Sequence, residues 1–218
     1  MPDLPRRPSA LLETVRVRRG LAPLWPLHEE RVRRSAAALG YSLPESIPAP
    51  SGGADRICRI EFLSRGRIRV TERQVESSVA LRLRTSPVPH RGYRHKTSNR
   101  EWLDAARLDA TKDGADDVLF LCVDGSVAES SIWSVFWWEG GRLVAPPLET
   151  GILPGVARTR LAELVGGIVE AALPGPLLAS RGGFLANAAR GVVPISELDG
   201  VQVVPDQVTA ALQEGFWP

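Results

Sequence analysis

The chain has almost no lysine: of its 27 basic residues, 25 are arginine and only Lys96 and Lys112 are lysine. A guanidinium stays protonated and forms no imine with an aldehyde, so chemistry that needs a side-chain primary amine falls to one of these two residues. Lys112, in ATKDG, stands where a cation ordinarily closes a helix before a glycine. Lys96 lies in the polar run HKTSNR, just ahead of a helical pattern. Cysteine is as scarce, and Cys58 and Cys122 both sit in apolar, strand-like runs, which favours free buried thiols over a disulfide. The three histidines, His28, His90 and His95, have no metal-ligand spacing, so no metal site is expected. No stretch approaches the roughly 18 apolar residues of a membrane span, and the N-terminus lacks the apolar run of a secretory leader. The expectation is a soluble, cytoplasmic protein. A net charge of +2 without a basic stripe gives no argument for a nucleic-acid partner, and the phosphate-cradling glycine motifs of nucleotide folds are missing.

What is present alternates between strand and helix periods. ALLETVRVRR (residues 10–19) reads as a strand, with Leu11, Val15 and Val17 against Leu12, Thr14 and Arg16. Residues 28–39 read as an alanine-rich helix stopped by Gly40. RICRIEFL, GRIRVTER and SSVALRLRT are closely spaced strands, for which an antiparallel meander is the natural arrangement. Two prolines and no periodicity make SPVPHRGYRH the expected linker, dividing a small N-terminal α/β domain (1–86) from a larger C-terminal one (92–218). Beyond it come an amphipathic helix in NREWLDAARLDATKDG, strands at DDVLFLCV, SVFWWEG and RLVAPP, and a long helix over GVARTRLAELVGGIVEAAL. A VQVV strand and a helix in DQVTAALQEG close the chain. Without strict βαβ alternation the fold class reads as α+β.

Four segments carry candidate chemistry: His28-Glu29-Glu30-Arg31, the run from His95 to Arg100, Asp124 to Ser131, and the glycine-flanked loop Gly151 to Arg158. Each alone is an ordinary helix face, strand or turn. Together they match the needs of a pyridoxal cofactor: an amine, a carboxylate for the pyridine nitrogen, and N–H groups with an arginine for the phosphate. In this order, LETVRV, HEERVRRSAAALG, HKTSNR, DGSVAESSIWSVF, LETGILPGVARTRL and FLANAARGVVP resemble the class IV aminotransferases, the fold-type IV pyridoxal-phosphate enzymes. The resemblance spans nearly the whole chain. It implies two domains with the cofactor at their interface, pyridoxal 5'-phosphate as that cofactor, a homodimer and a small-molecule substrate. By matching position it implies that Lys96 is the Schiff-base lysine, Glu129 the partner of the pyridine nitrogen and Arg31 the phosphate-binding arginine. Val156 and Ala157 become backbone donors to the phosphate, and Asn187 a further cofactor contact.

The departures from the family pattern are specific. Ala157 stands where relatives commonly have threonine, Ala186 where they often have serine or threonine, and Ser134 where asparagine is usual. These losses motivate one reading, a non-catalytic relative with a weakened phosphate cup. Leu12 takes the place of an aromatic usual in the aminotransferases, and Thr14 remains as a hydroxyl facing the cofactor and a candidate catalytic group. On this basis the chain resembles the lyase branch, which converts 4-amino-4-deoxychorismate to 4-aminobenzoate and pyruvate. The alternative is an aminotransferase for branched-chain or D-amino acids. Arg94 and Arg158 are candidates for contact with a substrate carboxylate.

Overall fold

In the computed structural model, residues 8–76 and 80–218 are described. The chain forms two compact units, one of Met1–Val75 with His95–Glu101, the other of Glu76–Arg94 with Trp102–Pro218. The run that carries Lys96 thus returns to the first unit after the chain has entered the second. Helices and strands are mixed, as the α+β reading expects.

The first unit contains β1 (Ala10–Val17), α1 (Trp25–Leu39), β2 (Arg56–Leu63) and β3 (Ile68–Arg73). Its sheet has the order β1-β2-β3, with both pairings antiparallel. Leu11, Val15 and Val17 share one face with Cys58, Ile60 and Phe62, and that face packs on Trp25, Val32 and Ala36 of α1. The helix starts three residues before the expected His28. Pro26 in its first turn lacks only an N–H that the helix would leave unpaired, and Gly40 closes the other end at φ 68°. Residues 96–98 line the free edge of β1. The Leu12 N–H donates to the Lys96 carbonyl at 2.8 Å, and the Ser98 N–H donates to the Ala10 carbonyl at 3.0 Å.

The second unit contains β4 (Leu81–Thr85), all but the first residue of α2 (Glu101–Lys112), β5 (Asp117–Leu121), β6 (Val127–Ser130), β7 (Ser134–Glu139) and β8 (Arg142–Ala145). It continues through α3 (Val156–Val165), β9 (Val169–Glu170), β10 (Phe184–Asn187), β11 (Gly191–Leu198), β12 (Val201–Gln202) and α4 (Gln207–Gly215). The sheet runs β6-β5-β4-β11-β10-β7-β8-β9, with β12 paired to β11. Trp133 and Trp137 are buried in its core, so these rings pack rather than face solvent.

Two sequence expectations are corrected. The third strand of the expected meander, which begins at Ser77–Val79 outside the described residues, is β4, and it runs parallel to β5 and β11 in the larger sheet. Leu81 and Leu83 alternate with exposed Arg82 and Arg84, and the leucines bury against Leu119, Ile195 and Leu198. Parallel pairing requires a crossover, and α2 supplies it. The expected long helix ends at Val165, because Gly166 (φ 74°) and Gly167 (φ 134°) leave helical space. Val169 and Glu170 then extend the sheet beside β8. No helix among the described residues is long and apolar enough to cross a membrane.

Candidate active site

In the first unit, a carboxylate occupies the apolar face of β1. Glu13 is 1% exposed and lies between Leu11 and Val15 on the side that packs against α1. Charge completes the arrangement: Arg31 donates through Nε to Glu13 Oε1 at 2.9 Å and through Nη2 to Oε2, and His28 Nδ1 lies 2.6 Å from Oε2. Burial alone would raise the Glu13 carboxyl, but the Arg31 charge and the His28 contact outweigh it and hold the group at about 2. His28 is pushed below its usual range by burial, against the pull of Glu13. Its Nδ1–H therefore donates to Glu13, which leaves Nε2 buried and with no partner among the described residues. Arg31 keeps Nη1 uncommitted among the described residues, although its side chain is only 7% exposed. A buried guanidinium edge with an open donor suits an anion.

Lys96 is half-buried beside this cluster, fixed at the backbone by its bond to Leu12. Desolvation, reinforced by the positive charges of Arg100 and Arg31, pushes its amine down to about 7, and Glu13 offsets only part of that. Close to half of the amine is then neutral near pH 7, as a nucleophile or proton acceptor requires. Thr14 sits half-buried on the other face of β1, opposite Arg59 in register. Lys112, by contrast, pairs with Asp109 on the surface of α2.

In the second unit, Glu129 is 5% exposed on β6. Its Oε1 lies 2.7 Å from His90 Nε2, and its Oε2 accepts the Leu153 N–H at 3.3 Å. The glycine loop is therefore tied to the strand that carries the carboxylate. At Gly151 the chain turns at φ 88°, and a Cβ there would lie 3.3 Å from the Gly92 backbone, so only glycine fits without strain. Gly155 caps α3 without a side-chain bond, and the N–H groups of Val156 and Ala157 open the helix with no partner among the described residues. Those donors and the helix dipole would suit an anion.

Ser134, the first residue of β7, packs against this loop. Its hydroxyl would lie 2.8 Å from a Cβ at Gly155. Gly155→Ala is therefore expected to cost roughly 1–3 kcal/mol by overpacking. Denaturant midpoints should show that loss, and Ser134→Ala in the same chain should restore most of it.

The structure thus gathers Arg31 and Lys96 around Glu13 in one unit, and Glu129, Val156 and Ala157 around the glycine loop in the other. Asn187 braces the turn after β10. Its Oδ1 accepts the N–H groups of Ala189 and Arg190 at 3.0 and 2.8 Å, and its Nδ2 donates to the Ile132 carbonyl at 3.4 Å, so the amide holds a turn. Arg158 is likewise committed to the Pro146 carbonyl and Glu170, and Arg94 donates to the Glu149 carbonyl. Glu13 and His90 were not among the residues expected from sequence. The signal for Glu13 was a lone carboxylate in the apolar alternation Leu11-Val15-Val17. His90 gave none, because its partner lies 39 residues away.

The pattern of class IV aminotransferases matches residues 63–198, more than half of the chain. A protein of Thermotoga maritima described as a probable branched-chain-amino-acid aminotransferase is 34% identical over 110 residues, 47% of this chain and 40% of that protein. Aminodeoxychorismate lyase of Bacillus subtilis is 30% identical over 115 residues, 50% of this chain and 39% of the lyase. These matches span about two-fifths of each curated relative. Among solved structures, a hypothetical aminotransferase of Mycobacterium tuberculosis in its PLP-bound form superposes with a TM-score of 0.80 at 21% identity, over 99% of this chain and 93% of that one, and so shares the fold. Fold and matched pattern agree, and the chain belongs to the class IV aminotransferase family.

Proposed function

We propose that this chain is a pyridoxal-phosphate enzyme acting on an amine substrate, with Lys96 as its covalent and proton-transferring lysine. The family works with this cofactor. The observation that carries the reading is the amine of Lys96, held down to about 7 beside an arginine whose Nη1 donor is uncommitted. Donor chemistry fits the group. In the first unit the Arg31 guanidinium suits a phosphate; in the second, the Val156 and Ala157 N–H groups suit a phosphate and the Glu129 carboxylate suits a ring N–H. When bound, the cofactor supplies an electron sink for charge released at the amine-bearing carbon. The chain's own residues do the rest. Neutral Lys96 takes the proton from that carbon and later returns it. Arg31, locked onto Glu13, keeps its remaining donors aimed by a rigid pair rather than by a flexible side chain.

Within the family, the reading is 4-amino-4-deoxychorismate lyase. It is supported by Leu12, buried and apolar at the strand position hydrogen-bonded to Lys96, and by the Thr14 hydroxyl two residues on along the same face of β1. Loss of a proton from the amine-bearing carbon, with departure of the enolpyruvyl group as pyruvate, aromatises the ring to 4-aminobenzoate. An aminotransferase is the second reading, favoured by the 34% identity to the Thermotoga protein. Incubation with aminodeoxychorismate and pyridoxal phosphate should release pyruvate and 4-aminobenzoate in equal amounts. Transfer of an amino group from a branched-chain or D-amino acid to 2-oxoglutarate, without pyruvate release, would replace the lyase by the aminotransferase. A homodimer in the cytoplasm goes with either reading, and sedimentation at twice the chain mass would support the dimer.

A further inference from the structure

His90 lies outside every segment that carries the family resemblance, yet its side chain is 1% exposed and touches Glu129. The Gly92 N–H donates to His90 Nδ1 at 3.2 Å, which leaves the ring proton on Nε2. That N–H then donates to Glu129 Oε1 at 2.7 Å. The ring has little freedom to turn, because Trp102 and Phe120 meet it edge-on at centroid separations of 5.4 and 6.2 Å. With the Leu153 N–H on Oε2, two of the roughly four acceptor positions of the carboxylate are filled from fixed directions. The remaining positions are oriented by those two bonds.

We propose that His90 is a positioning residue that clamps the Glu129 carboxylate in the orientation needed to accept a hydrogen bond from a protonated ring nitrogen. The proposal rests on the reading that Glu129 meets the cofactor's pyridine nitrogen. A buried carboxylate that loses one of two donors is poorly solvated, and it rotates toward another partner. That rotation removes its preference for an N–H at the cofactor ring. His90 therefore acts on the cofactor through Glu129 and touches neither cofactor nor substrate.

The test compares affinity for pyridoxal phosphate with affinity for 1-deazapyridoxal phosphate, which has carbon in place of the ring nitrogen. Both are titrated by quenching of tryptophan fluorescence. In the unsubstituted protein pyridoxal phosphate is expected to bind more tightly. His90→Leu should cut that preference about tenfold while leaving the deaza affinity unchanged, and His90→Gln, which keeps a side-chain N–H, should recover much of it. Equal weakening of both ligands in His90→Leu would make His90 a packing residue and overturn the proposal. Glu129→Gln separates the two levels. If it too leaves the preference intact, Glu129 does not meet the ring nitrogen and the underlying reading fails. If it abolishes the preference while His90→Leu does not, only the role of His90 fails. Should His90→Leu not fold, nitrogen NMR of histidine-labelled protein decides: a protonated Nε2 with a bare Nδ1 is expected, and the opposite tautomer overturns the proposal.

Discussion

Lys96→Met is expected to lower turnover by about 100- to 10,000-fold, the usual contribution of a positioned general base, and to make the protein more stable. The second effect follows from the direction of the lysine shift. An amine held at about 7 in the fold against 10.5 when free resists protonation in the native state, so the unfolded chain gains more from proton uptake. The penalty is full at and below about pH 7 and vanishes as the pH rises through 10.5. Methionine keeps most of the stem and removes the charge. A gain on the order of 2 kcal/mol near pH 7 is expected, which for a chain of this size raises Tm by about 4–8 °C. Calorimetry at pH 7 and near pH 10 checks it, since the gain must shrink at the higher pH. Equal stability of the two proteins at pH 7 would mean that Lys96 is not held in the environment described.

Glu13→Gln should have the largest effect on folding. It leaves the buried Arg31 guanidinium without a counter-charge, and breaking such a pair typically costs about 3–5 kcal/mol. The pH dependence follows from the two depressed groups. Glu13 is held at about 2 against an ordinary 4.5, so its contribution is complete above about 4.5 and is lost as the pH falls toward 2. His28, depressed from 6.5, works in the same sense and makes acid destabilisation begin below about pH 6.5. Urea midpoints should show a large difference between Glu13→Gln and the unsubstituted protein at pH 7, narrowing steadily below pH 4.5. Replacing Glu13 by Leu together with Arg31 by Met should recover part of the stability, because an apolar pair avoids the desolvation of two ions while the His28 Nδ1–H loses its acceptor. That double variant should still bind pyridoxal phosphate poorly. Recovery of stability with undiminished cofactor affinity would remove Arg31 from the phosphate site.

The sequence made the chemistry more legible than the geometry that tunes it. Only two lysines were available and Lys112 suits an ordinary helix end, so composition narrowed the amine to Lys96, and the resemblance of HKTSNR to the family gave it a role. Strands with clean alternation, such as Leu11-Val15-Val17 and Leu81-Leu83, were readable as strands, but alternation does not say which sheet a strand joins. β4 went to the larger sheet because its leucines found Leu119 and Ile195 there, a long-range choice that a local pattern does not encode. The helix beginning at Val156 looked long because GGIVEAAL keeps an apolar rhythm past Gly166 and Gly167, and the conformational freedom of the glycines outweighed that rhythm. Glu13 and His90 were hidden for a different reason. Each acts through a partner far along the chain, and a lone buried carboxylate or imidazole looks like an ordinary polar residue until its partner is placed.

Borohydride reduction of the protein incubated with pyridoxal phosphate, followed by peptide mass mapping, tests the central claim most directly. A single reduced adduct on Lys96 is expected, with Lys112 unmodified. An adduct on Lys112 alone, or no adduct at saturating pyridoxal phosphate, would contradict the assignment of Lys96 as the covalent lysine.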